Sequence, residues 1–164
     1  MDMFGAAPAP DETATTLVMT RTLKAPRDLV WKMFSDPYHL AQWWGPRGFT
    51  NRVEKLDFRT GGRWIHVMIG PDGREFPTDN DIVEVTPPRR IVFRSAPTDP
   101  KLFGDNPPPG FTKTVSFEEV EGGTLLTLHC VFDKPEHKDA ITRRGFREGT
   151  NESFDKLETH LATL

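Results

Sequence analysis

A chain of 164 residues with a net charge of −3 and 27% charged residues is most simply one domain with a core of ordinary proportion, and nothing in that balance favours nucleic acid or an anionic membrane surface. Its single cysteine, Cys130, excludes an internal disulfide and fits a reducing cytoplasm. No apolar run is long enough to span a bilayer, and the first residues lack the charged-then-apolar order of a signal peptide, so the expectation is a cytoplasmic protein.

Residues 1–12 read as a flexible tail, small and proline-bearing, ahead of a single domain over 13–164. From Thr13 to Leu23 the threonine-rich, β-branched pattern predicts a strand with Leu17, Met19, Arg21 and Leu23 on one face. Pro26 suits a first helical turn, and Leu29, Val30, Met33 and Phe34 recur at helical spacing behind it. Pro37 ends that helix, and Ser35 or Asp36 can cap a second one. Its inward residues are Leu40, Trp43 and Trp44, and Gly45 with Pro46 stop it. The product is a helical corner with two indoles at its tip. Those indoles either plug one end of the core or border a cavity.

Strands are predicted over 49–58, 63–69, 75–86 and 90–95, punctuated by Gly61-Gly62, by Pro71-Asp72-Gly73 and by Pro87-Pro88. The third strand carries apolar residues on both faces: Trp64, His66 and Met68 on one, Ile65, Val67 and Ile69 on the other. That suits a central strand. Residues 96–110 are too proline-rich for regular structure, and a loop of that length in a compact domain is usually functional or mobile. Two strands, 111–119 and 124–132, then form a hairpin about Gly122-Gly123, with Val115, Phe117, Leu126, Leu128 and Cys130 inward. From Pro135 to the end one long helix is expected, with Ile141, Phe146, Phe154, Leu157, Leu161 and Leu164 on one stripe and Gly145 and Gly149 as local weak points. The order β-α-α-β-β-β-β-β-β-α defines an α+β protein whose curved antiparallel sheet is covered by that helix.

Several of these segments together resemble one family: P-x-x-x-V-W at 26–31, S-D-P at 35–37, A-Q-W-W-G-P at 41–46, T-G-G-R-W at 60–64, G-P-D-G at 70–73 and E-V-T-P-P-R-R-I-V-F at 84–93. They are similar to the activator of heat-shock-protein-90 ATPase homologue-like family, within the START/SRPBCC or Bet v-like superfamily, over about residues 14–163. The resemblance implies a helix-grip fold, a curved sheet around a long C-terminal helix with an apolar cavity between them. It implies a small hydrophobic molecule as ligand, and a homodimer would fit. A chaperone-binding module is the alternative from the co-chaperone side of the family. A third is a cyclase- or hydrolase-type enzyme acting on a hydrophobic carbonyl compound.

The expected ligand-binding set is Trp43, Trp44, Trp64, His66, Met68, Phe93, Phe111, Phe146 and Phe154. An apolar pocket with a few polar groups is the default small-molecule site, although phenylalanines also simply fill cores. His66 is the candidate acid or base, since imidazole titrates near neutrality. The plainer alternative is a buried histidine satisfied by a neighbouring group. Glu84 is the second candidate, in phase with Ile82; turned inward it would need a cation such as Arg63, Arg143, Arg144 or Arg147. The five histidines show no ligand spacing and one cysteine makes no thiolate cluster, so no metal is expected. No phosphate loop or nucleophile elbow occurs, and no cofactor is expected.

Overall fold

The computed structural model describes residues 11–96 and 108–164. Seven strands form one antiparallel sheet: β1 (Thr16–Leu23), β2 (Thr50–Leu56), β3 (Arg63–Ile69), β4 (Glu75–Thr86), β5 (Arg90–Ala96), β6 (Thr112–Val120) and β7 (Gly123–Val131). Their spatial order is β1-β7-β6-β5-β4-β3-β2, so the chain runs as a meander from β2 to β7 and the first strand closes against the last. Helices α1 (Arg27–Ser35) and α2 (Pro37–Trp43) lie between β1 and β2, and α3 (Pro135–Arg143) and α4 (Phe146–Leu161) follow β7. This is the curved sheet with a C-terminal helix that the sequence predicts.

The inward face reads off the alternation of the strands. Leu17, Met19 and Leu23 on β1, Ile91 and Phe93 on β5, Val115 and Phe117 on β6, and Leu126, Leu128 and Cys130 on β7 are all buried together with Phe154 and Leu157 of α4. Arg21 shares the β1 phase. Its guanidinium lies over the Phe154 ring and is paired with Asp155 and Glu158, so a charged residue ties the first strand to α4.

The helical corner is set by one missing donor. In α1 the carbonyl of Met33 would accept from the amide of residue 37, but Pro37 has none. The Trp43 indole N–H fills the vacancy, donating to the Met33 oxygen at 3.0 Å. Asp36 caps α2 by accepting from the Tyr38 amide at 2.9 Å. Edge-to-face packing of Phe34 on Trp43 and on Phe117 seats the corner on the sheet.

Two features depart from the expectation. The single helix predicted from Pro135 onward is two helices. Gly145 has φ 86°, a left-handed conformation natural only to glycine, and its amide donates to Thr142 O at 3.0 Å to close α3 before α4 begins. Leu164, beyond the end of α4 at Leu161, is exposed rather than on the stripe. The second departure is a register shift between Ile82 and Glu84, where β4 pairs with β5. A second irregularity lies between Val53 and Lys55 on β2.

The tail expected over 1–12 lies outside the described residues up to residue 10. Its last residue, Glu12, is held by both guanidinium nitrogens of Arg147 at 2.8 and 2.9 Å and accepts from the Val18 amide at 2.9 Å. Of the proline-rich loop, residues 97–107 also lie outside the described part.

Candidate functional site

Between α3, α4, the tip of α2 and strands β3 to β7 lies a cavity of about 880 Å³. Its walls are apolar for the most part: Phe34, Trp43 and Trp44 from the corner, Met68 from β3, Phe111, Val115 and Leu128 from the hairpin, and Ile141, Phe146 and Phe154 from the last helices. Pro108, Pro109 and Gly110, the described end of the proline-rich loop, form part of the rim.

The tip of α2 is stitched to α4, which fixes Trp44 over the cavity. Ser153 Oγ accepts from the Gly45 amide at 3.1 Å. Lys156 Nζ donates to the carbonyls of Gly45 and Phe49 at 3.2 and 3.0 Å, and burial lowers its pKa. Arg47 adds an ion pair to Asp155 at 3.0 Å.

Six of the nine expected ligand-binding residues line this space: Trp43, Trp44, Met68, Phe111, Phe146 and Phe154. Trp64, His66 and Phe93 form the layer behind. Trp64 stacks on His66 at 4.4 Å and meets Trp44 and Phe93 edge-on at 4.6 and 5.5 Å. His66 is 1% exposed, and its Nδ1 is 3.0 Å from the Asn51 side-chain amide nitrogen, so the imidazole is held by a side-chain amide on the neighbouring strand. Burial, reinforced by the charge of Lys113, pushes its pKa down to about 3. It is therefore a neutral ring at neutral pH, far from the range in which a histidine exchanges protons efficiently.

Glu84 does not join it. The register shift takes Glu84 out of phase with the buried Ile82. Its carboxylate accepts from Arg90 Nε and from Thr86 Oγ1, both at 2.7 Å, and these bonds hold its pKa below the usual carboxylate value. Its cation is Arg90 on the next strand, not Arg63 or an arginine of the last helices. Arg63 pairs with Asp79, and Arg147 with Glu12.

The polar groups that do face the cavity are different ones. Lys113 on β6, Arg94 and Ser95 on β5, Asp133, His137 and Arg144 all line it. Arg94 Nη2 pairs with Asp133 at 2.9 Å. His137 Nδ1 is buried and has no hydrogen-bond partner among the described residues. Lys113 Nζ lies 4.7 Å from the Phe111 centroid, 5.4 Å from Phe93 and 6.0 Å from Phe146, inside an aromatic cage. Burial lowers its pKa from the ordinary lysine value. The sequence carried a signal for it: the alternation that sends Val115 and Phe117 inward sends Lys113 inward too. Cys130, opposite Lys113 on β7, is buried with its thiol pushed up to about 12 and stays protonated. Among the described residues no group of three or more His, Cys, Asp or Glu side chains is placed to hold a metal ion, and no helix is long and apolar enough to cross a membrane.

The sequence matches the family described as "Activator of Hsp90 ATPase homolog 1-like protein" over residues 24–162, the greater part of the chain. The chain belongs to that family. Solved structures agree with the assignment. A Nitrosomonas europaea protein is 26% identical with a TM-score of 0.80, over 94% of this chain and 98% of its own. A Mycobacterium smegmatis protein is 28% identical with a TM-score of 0.78, over 93% and 96%. An Arthrobacter aurescens protein, 23% identical, shares the fold with a TM-score of 0.84 over 94% and 91%. None of the curated proteins matches the chain. Within the family segment, Ala41-Gln42-Trp43-Trp44-Gly45-Pro46 supplies four consecutive cavity-lining residues, Trp43 to Pro46. The proline-rich rim and the caged lysine add the remaining character of the site.

Proposed function

We propose that this protein binds a small, mainly apolar molecule in the cavity between the sheet and its last two helices. The observation that carries the reading is the cavity itself: about 880 Å³, walled by Phe34, Trp44, Phe111, Phe146 and Phe154. That volume lies in the range of small-molecule sites, and a largely apolar wall with a few polar groups is their usual make-up. Filling it with a ligand removes exposed aromatic surface from water, which is the main favourable term in such binding. The candidate acid and base offer no chemistry there, since His66 is neutral behind Trp44 and Trp64 and Glu84 is paired with Arg90. Binding, rather than turnover, is the reading preferred.

Titration with the neutral dye Nile red tests it. The expected result is one saturable site per chain that is lost in Thr150→Trp, whose indole would occupy the cavity from α4. Unchanged binding in a folded Thr150→Trp variant would move the dye, and the function, elsewhere. Mass spectrometry of the freshly purified protein under native conditions then identifies what the cavity carries from the cell.

The family description supports a second reading, docking to Hsp90 with stimulation of its ATPase. It predicts a raised ATPase rate when purified Hsp90 is mixed with this protein; an unchanged rate at saturating protein removes it.

A further inference from the structure

We propose that the molecule taken by this cavity is an apolar carboxylic acid, bound as its anion with the carboxylate on Lys113. The inference rests on the cavity being a ligand site and specifies the polar end of the ligand. Lys113 enters from the start of β6, as its second residue, with Phe93 and Cys130 beside it on the flanking strands. Among the described residues its ammonium has a single hydrogen-bond partner, Ser95 Oγ at 3.4 Å, and no carboxylate within ion-pair distance. An ammonium offers three donors. Three phenyl faces stabilise its charge in part, but they accept no strong hydrogen bond.

A buried ammonium without a counter-ion is an expensive arrangement, and a bound anion would complete the pair. The titratable side chains around the cavity point the same way. Lys113, Arg94 and Arg144 line it against one carboxylate, Asp133, and that carboxylate is paired with Arg94. The whole chain, by contrast, is acidic, at −3. The start of α4 lies on the same wall: Gly145 and Phe146 line the cavity, and the first turn has no side-chain cap and carries one acidic residue, Glu148. A helix start of this kind favours negative charge. A neutral alcohol or ketone would accept one hydrogen bond from Lys113 and leave its charge uncompensated. A carboxylate supplies both the acceptors and the charge, while the rest of the ligand meets the aromatic walls.

The test compares two molecules that differ only at the head, dodecanoate and dodecanol, each displacing Nile red from the full-length protein at pH 7.5. The expected result is at least tenfold tighter binding of the acid. In Lys113→Met, a substitution of similar length without the charge, the acid loses its tenfold advantage and binds like the alcohol, whose own affinity changes far less because it loses one neutral hydrogen bond. Equal displacement by both molecules in the unaltered protein would overturn the carboxylate inference and leave the cavity reading standing. Failure of both molecules to displace the dye would remove both readings. A preference for the acid that survives in Lys113→Met would transfer the anion to Arg94 or Arg144 and refute the role assigned to Lys113.

Discussion

Replacing Trp43 by phenylalanine tests the account of the helical corner. Trp43 is 1% exposed and its indole nitrogen is 3.0 Å from the Met33 carbonyl, the acceptor that Pro37 leaves empty. Phenylalanine keeps an aromatic ring against Phe34 but removes the donor. A buried carbonyl without a partner costs about 1–3 kcal/mol. The void left by the lost part of the indole adds roughly 1 kcal/mol. The expected loss is therefore about 2–4 kcal/mol. For a chain of this size it lowers the melting temperature by roughly 10 °C. Urea unfolding followed by far-ultraviolet circular dichroism measures it. Trp44→Phe is the internal control, because Trp44 is only half-buried and its indole makes no hydrogen bond among the described residues; it should cost less than about 1 kcal/mol. Equal losses in the two variants, or a loss below about 1 kcal/mol for Trp43→Phe, would refute the idea that the indole substitutes for the missing proline donor.

The two glycines of the last helical segment should respond with opposite signs. Gly145→Ala forces a side chain into φ 86° and should destabilise by about 1–2 kcal/mol. Gly149 is inside α4, with only Pro46 Cβ at 3.7 Å from an added methyl group, so Gly149→Ala should stabilise by about 0.5–1 kcal/mol; thermal melts of the pair decide it. His39 Nδ1 and His160 Nε2 lie 2.9 Å apart between α2 and α4, and burial followed by the neighbouring His39 lowers the pKa of His160. Its folded pKa is then below the unfolded 6.5, so its contribution is full above that pH and is lost as pH falls below it. Melting temperature should decline from pH 7 to pH 5, and His160→Gln should flatten the slope. Glu12 is held down to about 2 by the Arg147 hydrogen bonds first and the Val18 amide second. That contribution is present above about pH 4.5 and disappears toward pH 2. Because the carboxylate is partly open to water, Glu12→Gln at pH 7 should cost only about 1 kcal/mol or less, and the variant should lose less stability than the parent between those two pH values.

Much of this architecture was legible because it depends on period and punctuation. The alternation in the hairpin strands and the Asp36-Pro37 start of α2 each have one economical solution, and the chain adopts it. The break at Gly145 was harder. A glycine within an apolar stripe looks the same whether it weakens a helix or ends one; the basic last turn, with Arg143, was the available sign of an end. Glu84 shows a different limit. Its phase was counted from Ile82, and one irregular residue between them reverses the face without any mark in the composition. Lys113 is not marked as a cavity residue by composition, because aromatic residues signal a pocket and a lysine signals solvent, whereas the strand period treats a lysine and a valine alike. His66, Trp64 and Phe93 share the inward face, but the indole of Trp44 lies across that layer, and only three-dimensional packing decides which aromatic ring meets the cavity.

The far edge of the sheet has a consequence for how these molecules meet one another. Among the described residues β2 has a strand neighbour on one side only, β3, and so presents an unpaired row of backbone groups. Its sequence guards that row. Arg52 is tied to Glu54 and Glu75 at 3.3 and 3.0 Å, Lys55 is exposed, and the irregularity at Val53/Lys55 bends the strand out of flat register. A second copy sliding in as an eighth strand would have to desolvate these charges and match a bent template. Addition of a further strand along this edge is thereby disfavoured.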